Sequence, residues 1–180
     1  MKKIAKFLMT AGLVFSMLSP TFAASEKTPM TSKDYDKIYG PESGSHKFLP
    51  IKESQRMLDE QLQQQSGGIG LLFYGRIVYE ADYIVKNHYQ IPKVINVTSS
   101  TLNSIRILSD AQPNTGTNKT YDVAIETWRD FVNDYITIDK VEMRVGSKQY
   151  EYFYDLDDGV DYYLRILGNV KGHMTVYRET

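Results

Sequence analysis

Four carboxylates fall within the seven-residue run Asp155-Leu156-Asp157-Asp158-Gly159-Val160-Asp161, folded around a glycine. Together Asp155, Asp157, Asp158 and Asp161 could offer hard oxygen ligands to a calcium ion. The run departs from a calcium loop, however. With Asp155 and Asp157 at the first and third loop positions, Gly159, Val160 and Ile166 fall where a ligand, a glycine and a bidentate Glu are needed. A solvated turn whose aspartates cap backbone amides therefore outweighs calcium, and calcium is the one cofactor the sequence raises.

Tyrosines are the second candidate chemistry. Tyr150, Tyr152, Tyr154, Tyr162 and Tyr163 crowd the C-terminal end, and strand alternation puts Tyr150, Tyr152 and Tyr154 on one face against Glu151, Phe153 and Asp155 on the other. Facing outward, such a row can stack on sugar rings or anchor a protein interface at small entropic cost. Facing inward, it fills a thin core. Both orientations are open at this point.

Other chemistry is thinner. His46, His88 and His173 have no second metal-type ligand at helical spacing and no HExxH arrangement, and no serine sits in a GxSxG elbow. Glu80 with Asp82, which share a face if their stretch is a strand, and Glu151 with Asp157 are the candidate carboxylate pairs for a small hydrolase. Cysteine is absent, which removes thiol catalysis, disulfide exchange and Cys-ligated zinc together.

The elements that must position these groups begin after a leader. Lys2, Lys3 and Lys6 precede an apolar run from Phe7 to Met17, and Pro20-Thr21-Phe22-Ala23 ends in small residues, so residues 1–23 read as a signal peptide cut after Ala23. The apolar run is too short for a spanning helix, which needs about 20 residues. The expected product is secreted, or periplasmic in a Gram-negative source, with no stable membrane insertion. An exported chain without disulfides favours a bacterial exporter. Beyond the leader, 18 basic residues face 22 acidic ones with no basic cluster, which argues against nucleic acid.

Residues 24–50 are polar and broken by Pro29, Gly40, Pro41, Gly44 and Pro50, and read as a flexible arm with one helical turn near Ser32–Tyr39, capped by Ser32. Residues 51–180 read as a single domain. It opens with a helix at about 51–65, on which Ile51, Leu58 and Leu62 form a narrow stripe, ended by Ser66-Gly67-Gly68. From about residue 70 the hydrophobic period drops to two. Short strands follow, with a loop expected at 110–116 and a strand preferred to a helix at Tyr121–Glu126. Two hairpins are predicted, one across Gly146-Ser147 and one across Gly168–Gly172, with Tyr162, Leu164 and Ile166 toward the core and Arg165 in water. The closing segment is similar to the ending of several bacterial secreted sandwich modules.

The expected fold is mainly β: an antiparallel β-sandwich, of jelly-roll or immunoglobulin-like topology, with one N-terminal helix. The expected function is a secreted, non-catalytic binding module that recognises an extracellular or cell-envelope glycan or protein through its aromatic-rich surface. The alternatives are a small secreted hydrolase using paired carboxylates, or an exported inhibitor, toxin component or matrix protein that engages its partner through the arm.

Overall fold

The structure, a computed structural model, describes residues 29–65, 75–97 and 103–179. The expected leader at 1–23 and the glycine stop at 66–68 lie outside the described residues. Among the described residues, two helices and nine strands are arranged in the order α1 (Ser32–Tyr39), β1 (Gly44–Leu49), α2 (Lys52–Gln65), β2 (Gly75–Val85), β3 (His88–Asn96), β4 (Ile105–Pro113), β5 (Thr120–Arg129), β6 (Asp134–Arg144), β7 (Lys148–Phe153), β8 (Asp161–Leu167) and β9 (Val170–Glu179). Among the described residues, no helix is long and apolar enough to cross a membrane.

The strands form a five-stranded sheet, β1-β2-β9-β4-β7, facing a four-stranded sheet, β3-β8-β5-β6. All pairings are antiparallel. From β2 onward, successive strands alternate between the sheets at every step except β5 to β6. This connectivity is a jelly roll rather than an immunoglobulin-like fold.

The two predicted hairpins are not hairpins. β6 pairs with β5 while β7 pairs with β4, and β8 joins β3 and β5 while β9 joins β2 and β4. Each short connection is an arch that lifts the chain from one sheet to the other. The arches are held by backbone bonds to neighbouring segments: Val145 N–H donates to the Lys119 carbonyl, Gly146 N–H to that of Ala111 in β4 (2.7 Å) and Gly168 N–H to that of Asn87 (2.7 Å). Burial favours the arch. It turns Met143 of β6 and Phe153 of β7, or Ile166 of β8 and Met174 of β9, into one shared interior. A hairpin would leave both sets on one sheet.

The core lies between the sheets, built from Tyr79, Ala81 and Tyr83 of β2, Ile105 and Ile107 of β4, Val123 and Ile125 of β5, Leu164 and Ile166 of β8, and Met174 and Val176 of β9. At its centre the hydroxyls of Tyr83 and Tyr121 meet Ser109 Oγ at 2.9 and 2.7 Å, so three buried polar groups satisfy one another across the sandwich. Gly172 makes room for this trio, because a Cβ there would stand 2.3 Å from the Asp110 carbonyl and 3.0 Å from the Tyr83 hydroxyl. Pro92 sits at the register shift of β3, an edge strand, where a missing N–H is tolerated.

Three local expectations change. The loop expected at 110–116 is strand up to Pro113, because Asp110 to Pro113 pair along β9. β5 runs to Arg129, past the expected end at Glu126. The described part of the arm expected at 24–50 packs on the sandwich. α1 seats Tyr35 fully buried against Ala124 and Leu167, and β1 adds an edge strand to β2.

Candidate functional site

The two outer faces of the sandwich are covered differently, and the cover decides what each can do. On the four-stranded face, α1 lies over β5 and β8. The helix starts at Thr31, whose N–H and hydroxyl both donate to Asp34 Oδ2, at 3.0 and 2.9 Å. These bonds hold the Asp34 carboxyl at about 2, well below its ordinary value. Thr31 therefore starts the helix in place of the expected Ser32, whose hydroxyl instead accepts from Arg165 Nη2 at 2.8 Å.

Beneath α1 lies a polar network. Arg165, expected in water, is 1% exposed. Its Nε donates to Glu126 Oε1 at 2.7 Å and its Nη1 to Glu42 Oε2 and to His88 Nδ1. A guanidinium can only donate, so His88 Nδ1 accepts and Nε2 carries the proton. That proton faces the Gly40 carbonyl (2.9 Å) and Asp36 (3.0 Å). Burial works against the Arg165 charge, but Glu126 and Glu42 outweigh it and hold its pKa above the ordinary arginine value. Alternation identified the outward direction of Arg165 but not the segment that covers it. The network reaches solvent only at its rim, through the half-exposed side chains of Glu42 and Asp36.

Farther along this face, Trp128, Tyr135 and Tyr163 meet edge to face, with Tyr135 central at 5.0 Å from Trp128 and 4.9 Å from Tyr163. Tyr163, grouped with the other tyrosines from sequence, thus belongs to the opposite face from Tyr150. Tyr162 is 2% exposed in the core, where its hydroxyl accepts the Asp157 N–H, and it cannot meet a ligand.

The five-stranded face is open. Pairing aligns three rows across it: Lys47, Asp82, His173, Asp110, Lys148; then Leu49, Glu80, Thr175, Leu108, Tyr150; then Ile77, Tyr177, Arg106, Tyr152. Tyr150 and Tyr152 point outward on edge strand β7, and Tyr154 follows just past its end. Tyr150 and Tyr154 are 51% and 62% exposed, and the rings of Tyr152 and Tyr154 stack at 5.5 Å, nearly parallel. The Arg106 guanidinium lies over the rings of Tyr177 (4.3 Å) and Tyr150 (5.4 Å), tying the row to the sheet.

α2 crosses the other half of this face. Ile51 and Leu58 pack on Ile77, Leu108 and Tyr177, while Gln55 Oε1 accepts the Ile77 N–H at 2.9 Å. Between α2 and β7 remains a groove of about 330 Å³, lined by Met57, Leu58, Tyr150 and Tyr177 and by the polar groups of Glu80, Asp110, Lys148, His173 and Thr175. Glu80 lies at its floor, 9% exposed, and accepts from Ser54 Oγ (2.9 Å) and Thr175 Oγ1 (3.4 Å). His173 Nδ1 faces Asp82 Oδ1 at 3.1 Å. Burial, then the nearby Tyr150, raises the Tyr177 pKa, so its ring is a neutral phenol. Such a groove can stack an apolar ring face on tyrosine and take hydroxyls on carboxylate and imidazole.

Sequence reasoning found Tyr150, Tyr152 and Tyr154 and placed Glu80 and Asp82 on one face. It missed Arg106, Tyr177, Asp110 and His173 as their neighbours, because those sit on strands whose pairing it had wrong. Glu151 lies opposite Ile107, off the outward face, and no hydrogen bond joins it to Asp157. Asp155, Asp157, Asp158 and Asp161 occupy the turn before β8 and its first residue, where Asp161 Oδ1 accepts from Asn96. Among the described residues, no group of three or more acidic or histidine side chains is placed to hold a metal ion. A larger hollow of about 640 Å³ at the arch end is lined by Pro113, Lys119, Arg144 and small loop residues, without an aromatic ring or carboxylate.

No protein-family model matches this chain, and no curated protein does. The fold is a β-sandwich, and the chain is similar to solved structures of carbohydrate-binding modules. A CBM4 module shares 12% identity over 57% of this chain and 73% of its own, with a TM-score of 0.33. A family 11 module from Clostridium thermocellum, in complex with a β-1,3-1,4-mixed-linked tetrasaccharide, shares 14% over 75% and 79%, with a TM-score of 0.32. A mutant of the family 29 module CBM29-2 shares 9% over 76% and 83%, with a TM-score of 0.31. Similarity at this level assigns no residue a role.

Proposed function

We propose that this protein is an exported glycan-binding module and that the ligand lies in the groove between α2 and β7. One observation carries the reading. Tyr150 exposes half its surface at the mouth of a groove that combines apolar walls with hydrogen-bonding groups, and Tyr152 and Tyr154 continue the aromatic row along the edge strand. A pyranose has an apolar C–H face and a rim of hydroxyls. Tyrosine meets the first, and Glu80, Asp110, Lys148 and His173 meet the second. The rings are held by Arg106 and by each other before any ligand arrives, which keeps the ordering cost of binding small.

The test is affinity electrophoresis against soluble polysaccharides, followed by calorimetry with oligosaccharides of the best binder. The wild type is expected to bind at least one glycan, and Tyr150→Ala and Tyr152→Ala to weaken it. Binding unchanged in both variants, or absent across the panel, refutes the reading.

A further inference from the structure

Resting on that reading, the geometry points to a narrower ligand class: we propose that the groove selects sugars bearing a free ammonium group, with Glu80 as its acceptor. The charges on this face are mostly matched by protein groups. Asp82 is directly opposite Lys47 in the sheet register and also faces His173 Nδ1 at 3.1 Å, Asp110 is directly opposite Lys148, and Arg106 lies on the rings of Tyr177 and Tyr150. Glu80 is the exception. It is 9% exposed at the groove floor, its hydrogen-bond donors are the hydroxyls of Ser54 and Thr175, and it forms no ion pair within the described residues.

A carboxylate withdrawn from water and held only by hydroxyl dipoles retains most of its attraction for a cation. A neutral sugar hydroxyl adds one more dipole, whereas an ammonium supplies the missing charge. Tyr150 and Tyr177 line the same groove, and both rings already accept one cation, the Arg106 guanidinium. The 3.4 Å contact from Thr175 to Glu80 Oε1 is long for a hydrogen bond, which leaves that oxygen with acceptor capacity toward the groove. An amino sugar therefore fits this groove better than a uronic acid or a neutral hexose.

The experiment is calorimetry of the full chain with three hexamers of one linkage: β-1,4-linked glucosamine, its fully N-acetylated form and the neutral glucose hexamer. Glucosamine hexamer is expected to bind about tenfold or more tighter than either control. Glu80→Gln, which keeps an acceptor and the shape, is expected to erase that preference, so that within this variant the glucosamine hexamer binds no tighter than the N-acetylated and neutral hexamers. Tyr150→Ala is expected to weaken all three. Equal binding of the three hexamers, or a preference that survives Glu80→Gln, overturns the amine proposal and leaves the groove reading standing. Binding of none of them overturns the amine proposal, and the groove reading is then judged separately by the polysaccharide panel.

Discussion

The two outer faces of this sandwich have similar raw material, rows of tyrosine with charged residues between them, and put it to opposite uses. On the four-stranded face, α1 seals Arg165, Glu126 and His88 from water, and each guanidinium nitrogen of Arg165 donates to an acceptor within the protein. On the five-stranded face, α2 covers only part of the sheet and leaves Glu80, Tyr150 and His173 around a groove. Polar groups that satisfy one another specify the fold, while polar groups left with spare capacity are available to a ligand.

The largest effect should come from opening the sealed face. Arg165→Ala leaves Glu126 buried and uncompensated, and should cost about 3–5 kcal/mol by denaturant unfolding. The double variant Arg165→Met, Glu126→Leu should recover much of that loss, because it removes both charges. Neither result should accompany a change in glycan affinity in protein that remains folded. A loss of affinity in folded double variant would couple the faces and break the comparison.

Next in size is the open face. Tyr150→Ala should weaken glycan binding by about 1–2 kcal/mol, roughly five- to thirtyfold in Kd, with little change in unfolding. Trp128→Ala, on the other face, should leave calorimetric affinity unchanged. If Trp128→Ala rather than Tyr150→Ala abolishes binding, the assignment of the two faces is reversed.

Ser54→Ala should have a smaller effect, about 1 kcal/mol on stability, since it removes one of the two hydroxyl donors to Glu80 and a tie between α2 and the sheet. The smallest effect should be seen in acid. The Asp34 carboxyl is held at about 2 in the folded protein, against about 3.9 in an unfolded chain. Its contribution is complete above the unfolded value and is lost as pH falls from there through about 2. Amide exchange in α1 should rise over that window before exchange in β4 or β9 does. Simultaneous loosening of both would show that α1 is not a separate cover.

Much of this was legible from alternation. Tyr150 and Tyr152 alternate with Glu151 and Phe153, and the structure turns those two tyrosines outward and Phe153 inward. The β-sandwich class followed from strand spacing. Strand partnership was not legible, because alternation of β8 and β9 is the same whether they pair or arch over one another. That is why His173 and Tyr177 were not joined to Tyr150. Nor did composition reveal the buried role of residues 32–49. Their prolines and glycines look like linker, yet Tyr35, Glu42 and Ser32 are the groups that remove Arg165 from water.

The most direct measurement is a two-dimensional amide NMR titration with an oligosaccharide of the best-bound glycan. The account predicts shifts confined to the outer residues of β4, β7 and β9 and to α2 around Ser54 and Met57, with Tyr135 and Tyr163 silent. Shifts centred on Trp128, Tyr135 and Tyr163, or none at saturating oligosaccharide, would contradict it.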